Sequence, residues 1–292
     1  MSGTVKDYHS WFKHPGQFLF QWVIGYAVDA GSDLFARWHH QEGSSFQILS
    51  IAIADDVVKR GEVDSFQIGI SIFDTDRLGD ALAKASEPDT DRVGDASANP
   101  PEPGVNLAAS VIESHHWVVG DKEEWDEEYS PEFEDLFRFG RMRHVPVNKF
   151  DEQIKAIIQD GNFFLISHGP DKSLQFLRSC GVHFKAIETI DIERAVHKFF
   201  RLRPAKAEPV LKREMIELMG VPCQDPDLAG NAAHFTLRIL LQVVCGDVDH
   251  NPQKEGVPVH KWSGVLQKIV VSPSKKRKLR VMRTSPPDPS EK

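Results

Sequence analysis

Four aspartates lie close together in the first third of the chain and could supply the ligands of a metal-dependent enzyme. Asp55 and Asp56 follow one long apolar segment, and Asp74 and Asp76 follow the next. Carboxylate oxygens are the ligands that hard divalent cations such as Mg²⁺ prefer. Asp191, at the end of the segment ETID, is a fifth candidate. If the chain is an enzyme, these acids are the first place to look for its metal site.

The elements that position these acids can be predicted from hydrophobic patterning. Residues 46–54 and 66–73 are predicted strands joined by a charged turn at 55–65, and 110–119 is a third strand. The later predictions are strands at 162–167 and 184–190, with helices at 147–159, 170–180, 192–202, 210–219 and 230–244. This order predicts an α/β fold with a mixed five-stranded sheet, in which three antiparallel strands precede two parallel ones, and with helices on both faces.

Composition excludes several classes of protein. The 292 residues carry a formal net charge of -8, so any basic surface for nucleic acid must be local. Three cysteines without CxxC spacing argue against a disulfide framework and for an intracellular compartment. No secretory signal or membrane-spanning segment is predicted, and the expected domain is large enough to bury a core.

Three segments are predicted to lie outside the main domain at residues 45–246. Residues 1–44 are aromatic-rich and form a predicted helical extension. Residues 79–105 are rich in Pro, Asp, Ser, Ala and Gly, which predicts a disordered insertion. Residues 247–292 are predicted to be a carboxyl-terminal extension with a basic disordered tail. Within the domain, the acidic run 121–135 is either a solvated surface or a patch for a basic partner.

Six short pieces of sequence resemble one family in both content and order. They are ILSIAIA with FQIGISIFDT, then LFRFGR, FLISHGPDKSLQFL, ETIDIERA and AGNAAHFTLRILL. Over residues 46–245 the chain resembles the DEDDh exonuclease branch of the RNase-H-like superfamily. Within that branch it is similar to the fungal RNase-H-like family named for "good for full DEAD-box helicase activity". The resemblance implies an RNase-H-like fold.

The resemblance also implies which residues would carry the chemistry. In the family, four carboxylates hold two divalent metal ions that activate water for phosphodiester cleavage, and a histidine acts as general base. The aligned positions in this chain are Ala52, Ala54, Ser173 and Ala232 for the acids, and Asp227 for the histidine. Alanine and serine provide no anionic oxygen for Mg²⁺. The resemblance therefore predicts a catalytically degenerate domain, without a resident metal.

The displaced aspartates offer an alternative in which some activity remains. Asp55 is predicted to lie at or past the end of the first strand, and Asp74 and Asp76 at the far end of the second. A slip of one residue turns a side chain to the other sheet face, so neighbouring acids cannot substitute for one another. These aspartates are better explained as caps of strands and turns. Mg²⁺ or Mn²⁺ would be a cofactor only in this residual-nuclease alternative.

Histidines add no predicted metal site. His168 is predicted to be a buried or turn-forming residue. His115, His116, His234 and the pair His39–His40 show no ligand spacing with Cys or Asp, which argues against zinc.

The basic tail is the clearest candidate for a direct contact with nucleic acid. Six basic residues occur without an acid between positions 275 and 283, namely Lys275, Lys276, Arg277, Lys278, Arg280 and Arg283. Flanking prolines predict an exposed segment, which suits either a nuclear import signal or phosphate contacts that release counterions. A solvated tail without a role is the remaining alternative.

Three functional hypotheses follow from the sequence. The first is an inactive exonuclease-type domain in the nucleus that binds RNA or single-stranded nucleic acid, or a protein partner in RNA processing or mRNA export. The second is a protein–protein adaptor that uses the aromatic amino-terminal extension and the acidic run 121–135. The third is a residual metal-dependent 3′–5′ exonuclease.

Overall fold

The structure is a computed structural model that describes residues 47–59, 62–74, 77, 107–121, 136–158, 163–167, 172–199, 216–217, 220–221, 225–250 and 259–272. Its strands are β1 (Gln47–Lys59), β2 (Glu62–Asp74), β3 (Ile112–Val119), β4 (Met142–Val145), β5 (Phe163–Ser167) and β6 (Glu188–Asp191). Its α-helices with described bounds are α1 (Leu107–Val111), α2 (Phe150–Ile157), α3 (Lys172–Ser179), α4 (Ile192–Phe199), α5 (Ala229–His250) and α6 (Val259–Val270).

The six strands form one mixed sheet in the order β4-β3-β2-β1-β5-β6. β2 is antiparallel to both of its neighbours, whereas the pairs β1–β5, β5–β6 and β3–β4 are parallel. Since β2 alone is reversed, the other strands all end on the same side of the sheet. We call this side the carboxyl edge. In α/β sheets, the carboxyl ends of parallel strands are where functional sites are commonly built.

Alternating side chains divide the interior into two cores, one on each face of the sheet. On one face, which we call the α5 face, Ile48, Phe73 and Ile112 pack with Leu237 and Leu240 of α5. On the opposite face, a second core joins the strands to α2 and α3; its large members include Leu49, Ile70, Trp117, Phe150, Ile154 and Leu177. Helices therefore cover both faces, as predicted.

Helix α5 is the central helix of the first core. Its residues 229–241 are buried almost without a break, because the sheet lies on one side of the helix and other elements cover the remainder. Val265, Leu266 and Ile269 of α6 belong to the same core. None of the described helices is long and apolar enough to cross a membrane.

The predicted fold class is confirmed, but the predicted number of strands was wrong. The sheet has six strands, and the additional one is β4. Its segment MRHV is short and places two polar residues between two apolar ones just after an aromatic turn, so its hydrophobic signal is weak. It is ordered by tertiary pairing with β3, which sequence periodicity does not report.

The first hairpin is longer than predicted. β1 was expected to end at Ala54 and the turn to run from 55 to 65, whereas β1 continues to Lys59 and β2 begins at Glu62. Asp55 and Asp56 therefore lie inside β1, not at or past its end. The ladder is irregular here, with register shifts between Ala54 and Lys59. Hydrogen bonding between the strands continues after the apolar pattern has stopped, which explains the error.

Other boundaries differ by a few residues. The third strand begins at Ile112 instead of 110, because residues 107–111 form α1. The sixth strand is confined to residues 188–191, whereas 184–190 had been predicted. The predictions for residues 1–44 and 79–105, for His168 and His39–His40, for Asp76 and for the tail at 275–283 concern residues outside the described ranges.

Candidate functional site

Ala52 and Ala54 lie on the α5 face of β1, close to the carboxyl edge. They continue the alternation that places Ile48 in the α5 core. Ala52 pairs with Gly69 of β2, which in turn pairs with His116 of β3. Both alanines are half-buried. The two positions thus share one face of one strand, as the spacing of an Asp-x-Glu pair requires.

The α5 face of the three central strands carries no carboxylate over residues 47–54, 66–73 and 112–119. The one acid in these segments is Glu113, which alternation places on the opposite face. There its carboxylate accepts a hydrogen bond from Arg77 at 3.1 Å and lies 3.3 Å from His115 Nε2. The side chains on the α5 face include small and neutral polar residues, namely Ser50, Ala52, Ala54, Gln67, Gly69, Ser71, Ser114 and His116.

The remaining family positions lie on elements that also reach the carboxyl edge. Ser173 is half-buried in the first turn of α3, which follows β5 and contacts β1. Ala232 is 2% exposed in the first turn of α5. Asp227, which occupies the position of the general base, is exposed in the turn before α5. The first turns of α3 and α5, which cover opposite faces of the sheet, therefore both lie toward the carboxyl edge, and the aligned acid positions there carry alanine and serine.

The displaced aspartates are spread over the sheet. Asp74 pairs with Gln47, five residues along β2 from Gly69, which places it about 17 Å from the row that contains Ala52. Asp191 lies on β6, two strands away from β1, and its Oδ1 accepts a hydrogen bond from the Glu193 amide at 3.1 Å. This bond caps the first turn of α4. Two catalytic metal ions lie only about 4 Å apart, so these residues cannot join in one such site.

Asp55 and Asp56 are the displaced acids nearest to the family positions. They directly follow Ala54 in β1, at the irregular part of its ladder with β2. Within the described residues, no group of three His, Cys, Asp or Glu side chains is arranged to hold a metal ion.

The amino-terminal end of α5 is packed directly onto the sheet. A Cβ atom at position 69 would overlap the carbonyl group of Ala229, so only glycine allows this approach. Gly230 is equally confined, because a Cβ there would lie 2.7 Å from atoms of both His116 and Phe137. These two glycines bring the helix backbone into contact with β2 and β3, leaving little room between the helix and the strands.

His116 caps this end of the helix from the neighbouring strand. The Gly230 amide donates a hydrogen bond of 2.9 Å to His116 Nδ1. His116 is completely buried, and burial lowers the pKa of its imidazole to about 3. The ring is therefore neutral, and it satisfies one of the amides that a helix leaves unpaired in its first turn.

Asn231 ties the helix start to the segment FRFG at residues 137–140. Its Oδ1 accepts a hydrogen bond from the Arg138 amide at 3.1 Å. Its Nδ2 donates to the carbonyl oxygens of Leu136 and Asp225, each at 2.9 Å. The buried guanidinium of Arg138 also lies 3.4 Å from Asp225 Oδ2. One buried amide side chain thus holds two loops against the first turn of α5.

A second buried histidine is held one turn further along α5. His234 Nδ1 lies 2.9 Å from Ser114 Oγ, which lies 2.8 Å from Ser71 Oγ. The imidazole stacks on Phe139 with ring centroids 3.5 Å apart and planes at 10°. Burial, with a smaller contribution from Arg238, holds the pKa of His234 well below its ordinary value. A neutral polar network therefore joins α5 to β2 and β3.

Sequence reasoning missed the residues that organise this end of the sheet. His116 and His234 were considered only as metal ligands, and Asn231 and Arg138 were not singled out as individual residues. For Arg138 and Asn231, the available signal was their membership in the pieces FRFG and AGN, which carried the family resemblance. In the structure these two pieces contact each other through Asn231, although they are far apart in the chain.

Comparison with known proteins agrees with the architecture. The model of the DEDDh_C family, described as DNA polymerase III subunit epsilon-like, C-terminal domain, matches residues 66–243, which is more than half of the chain. The matched range includes Ser173 and Ala232 and begins after the strand that carries Ala52 and Ala54. No curated protein matches the chain. The chain therefore belongs to the DEDDh_C family and, with it, to the DEDDh exonuclease-like group of RNase-H-like domains.

Proposed function

We propose that this protein is a catalytically degenerate exonuclease-type domain that binds RNA or single-stranded nucleic acid without cleaving it. Within the RNase-H-like superfamily, we assign it to the fungal family that its FDT, FRFG and AGN pieces resemble. We further propose a nuclear role as an accessory factor in RNA processing or mRNA export. Nucleic acid is favoured over other ligands because the exonuclease-like group acts on it.

One observation carries the degenerate part of the proposal. The α5 face has no carboxylate on the central strands over residues 47–54, 66–73 and 112–119, and the resemblance aligns Ala52 and Ala54 with the family's first two acids. Without anionic oxygens at these positions, two Mg²⁺ ions lack the family's ligands there, and the charge that develops during phosphodiester cleavage is not neutralised. The residues present do not fit a two-metal centre.

The position of Ser272 supports a role for the basic tail. Its Oγ accepts a hydrogen bond from the Ala108 amide at 3.3 Å, and its carbonyl oxygen accepts one from Arg238 at 2.6 Å. The chain beyond Ser272 therefore starts beside α1, at the end of the sheet opposite the carboxyl edge. Arg283 lies eleven positions after Ser272, a distance along the chain that spans up to about 37 Å. The six basic residues can thus reach a strand bound along the domain.

Salt dependence tests the binding proposal. We expect a fluorescently labelled single-stranded RNA to bind with an affinity that falls steeply as salt rises, measured by fluorescence anisotropy. Replacing all six basic residues at positions 275–283 by Gln should lower the slope of log K against log[salt] by up to about 4, because each phosphate contact on a single strand contributes about 0.7. A matched control replaces the exposed Arg141, Arg143 and Lys149 instead.

Failure of this experiment has a clear meaning. If the native protein does not bind RNA at low salt, the adaptor alternative is favoured, and the search moves to protein partners of the acidic run 121–135. If the control variant loses as much affinity as the tail variant, the contacts lie on the folded domain and the tail assignment is wrong. Nuclear import is tested separately, by locating a chain that ends at residue 272; an unchanged nuclear distribution would contradict that assignment.

The residual-nuclease alternative is tested by adding metal. We expect no shortening of an end-labelled single strand in Mg²⁺ or Mn²⁺ and no heat of metal binding by calorimetry. Metal-dependent shortening that is abolished by Asp74→Asn or by Asp55→Asn would show that displaced aspartates support catalysis. Shortening that survives both substitutions would point to a contaminating nuclease.

A further inference from the structure

The contact between His116 and Gly230 fixes the protonation state of the imidazole. The Gly230 amide donates to Nδ1, so Nδ1 must carry a lone pair and the ring proton must reside on Nε2. Nε2 is buried, and no hydrogen-bond partner is found for it among the described residues. A second proton could only be added at Nδ1, which is the atom that holds the helix.

Protonation at Nδ1 has two consequences at once. It removes the acceptor of the Gly230 amide, and the two donors then face each other across 2.9 Å. It also places a positive charge in a fully buried position beside the amino-terminal end of α5, where the helix dipole is positive. Neither change can be relieved by a small movement, because Gly230 already lies in close contact with His116 and Phe137.

Among the described residues, the groups that contact His116 provide no negative charge to compensate. The neighbours of His116 are all uncharged. They are Gly69 of β2, Gly230 of α5, Phe137 in the loop before β4, and Met142 of β4. The closest charged pair at this end is Arg138 with Asp225, in which the carboxylate is engaged by the guanidinium. Further along α5, the neutral His234 provides no compensating charge, and the cationic Arg238 disfavours another positive charge.

We propose that His116 is an acid-sensitive latch for the first turn of α5. In its neutral form it holds the helix start against β3. When Nδ1 is protonated, the bond from Gly230 breaks and the first turn separates from the sheet, which uncovers Gly69 and the α5 face around Ala52. The device is independent of whether the domain binds RNA.

The sign of the pH dependence follows from the depressed pKa. In the released or unfolded chain, a histidine takes up its proton near pH 6.5, whereas the docked His116 resists protonation down to about pH 3. The latch therefore contributes its full stabilisation above pH 6.5 and loses it progressively as the pH falls toward 3. Within that window, the equilibrium constant for release rises about tenfold for each pH unit.

Amide hydrogen exchange of the native protein measures this release directly. We expect the protection factor of the Gly230 amide, corrected for intrinsic exchange, to fall about tenfold per pH unit between pH 6 and pH 4.5. The Leu240 amide, in the interior of the same helix, should keep a higher protection factor than Gly230 at each pH, because release of the first turn leaves it bonded. A Gly230 protection factor that does not change with pH would overturn the proposal.

Two variants separate the latch from general acid sensitivity. In His116→Asn the amide oxygen replaces Nδ1 as acceptor and does not titrate, so Gly230 should keep its protection at pH 4.5. The control variant His144→Gln removes a partly buried histidine whose Nε2 lies 2.8 Å from the Gly120 carbonyl oxygen. The pH dependence at Gly230 should persist in this variant. Equal pH dependence in native protein and His116→Asn would refute the latch. If His116→Asn does not fold, the native protein still decides, because equal protection factors at Gly230 and Leu240 would mean that both amides exchange by global unfolding and would overturn the latch.

Discussion

At the scale of single residues, the carboxyl edge is organised by close contacts and not by charge. His116 and Asn231 satisfy backbone groups at the start of α5, and Gly69 and Gly230 remove the side chains that would keep the helix away from the strands. Each of these residues is buried, and each contacts an element distant in sequence. Their identities are therefore set by the packing of α5, whichever ligand the domain binds.

Gly69 provides the sharpest test of this packing. Gly69→Ala should lower the free energy of unfolding by about 3 kcal/mol, because the new Cβ overlaps the backbone carbonyl of Ala229, which no rotamer change can relieve. Chemical denaturation followed by circular dichroism measures the loss. The matched control is Gly264→Ala in α6, where the added Cβ meets no atom within 4 Å and helix propensity should contribute about 1 kcal/mol of stabilisation. Equal effects at the two sites would contradict the close contact.

At the scale of elements, β1 and the first turns of α3 and α5 bring the aligned family positions to the carboxyl edge of the sheet. Ala52 and Ala54 share a strand face, and the beginnings of α3 and α5 carry Ser173 and Ala232. The elements that the resemblance assigns to the site are present, and the aligned positions on them carry alanine and serine. Asp191 illustrates the difference, since it lies at the same edge but caps α4.

Restoring the acids tests whether these elements converge. The variant Ala52→Asp, Ala54→Glu, Ser173→Asp and Ala232→Asp should bind Mn²⁺ by calorimetry, and Mn²⁺ at about 100 times Kd should raise the free energy of unfolding by about 2.7 kcal/mol. Without metal the variant should be less stable than the native protein, because Ala232 is buried and unpaired carboxylates repel one another. Circular dichroism with and without Mn²⁺ provides the comparison.

A control with the same charge makes this result specific. Moving the third acid from position 173 to the exposed Gln175, on another side of α3, should weaken Mn²⁺ binding strongly. If both variants bind Mn²⁺ equally, or if neither binds, the four positions do not form one site and the family alignment of these residues is wrong.

At the scale of the whole molecule, the chain after α5 contributes to the folded domain. Val265, Leu266, Ile269 and Val270 of α6 are buried in the α5 core, and Ser272 is held by Arg238 and Ala108. The predicted domain boundary at residue 246 stays a prediction, but a helix that packs on α5 lies beyond it. The basic tail therefore follows directly after Ser272, which is anchored in the folded domain.

Truncation separates these two parts. A chain that ends at residue 272 should melt at the temperature of the full chain, because it keeps all the described core residues of α5 and α6. A chain that ends at 258 should be unfolded or aggregated, since it loses four buried aliphatic side chains worth about 1.5 to 3 kcal/mol each, comparable to the whole stability of a domain. Thermal unfolding followed by circular dichroism measures both. Identical melting of the two chains would show that α6 contributes no stability.

The sequence alone determined the class of fold and the residue types at the family positions. Apolar runs such as 46–54 and 162–167 report burial directly, because long uninterrupted hydrophobic segments are strands covered on both faces. The acids were harder to interpret. The sequence places Asp55, Asp56 and Asp74 near one another in number, whereas an antiparallel pair puts Asp74 beside Gln47 at the far end of β1.

Only the tertiary structure decided what holds the carboxyl edge together. The short strand β4, the contact of Gly69 with α5, the hydrogen bond from Gly230 to His116 and the contacts of Asn231 all join segments that are distant in the chain. Local patterns measure the hydrophobicity of neighbours in sequence and carry no record of such partners. For that reason His116, which sequence spacing presents only as an unlikely metal ligand, becomes the cap of α5 when the chain is folded.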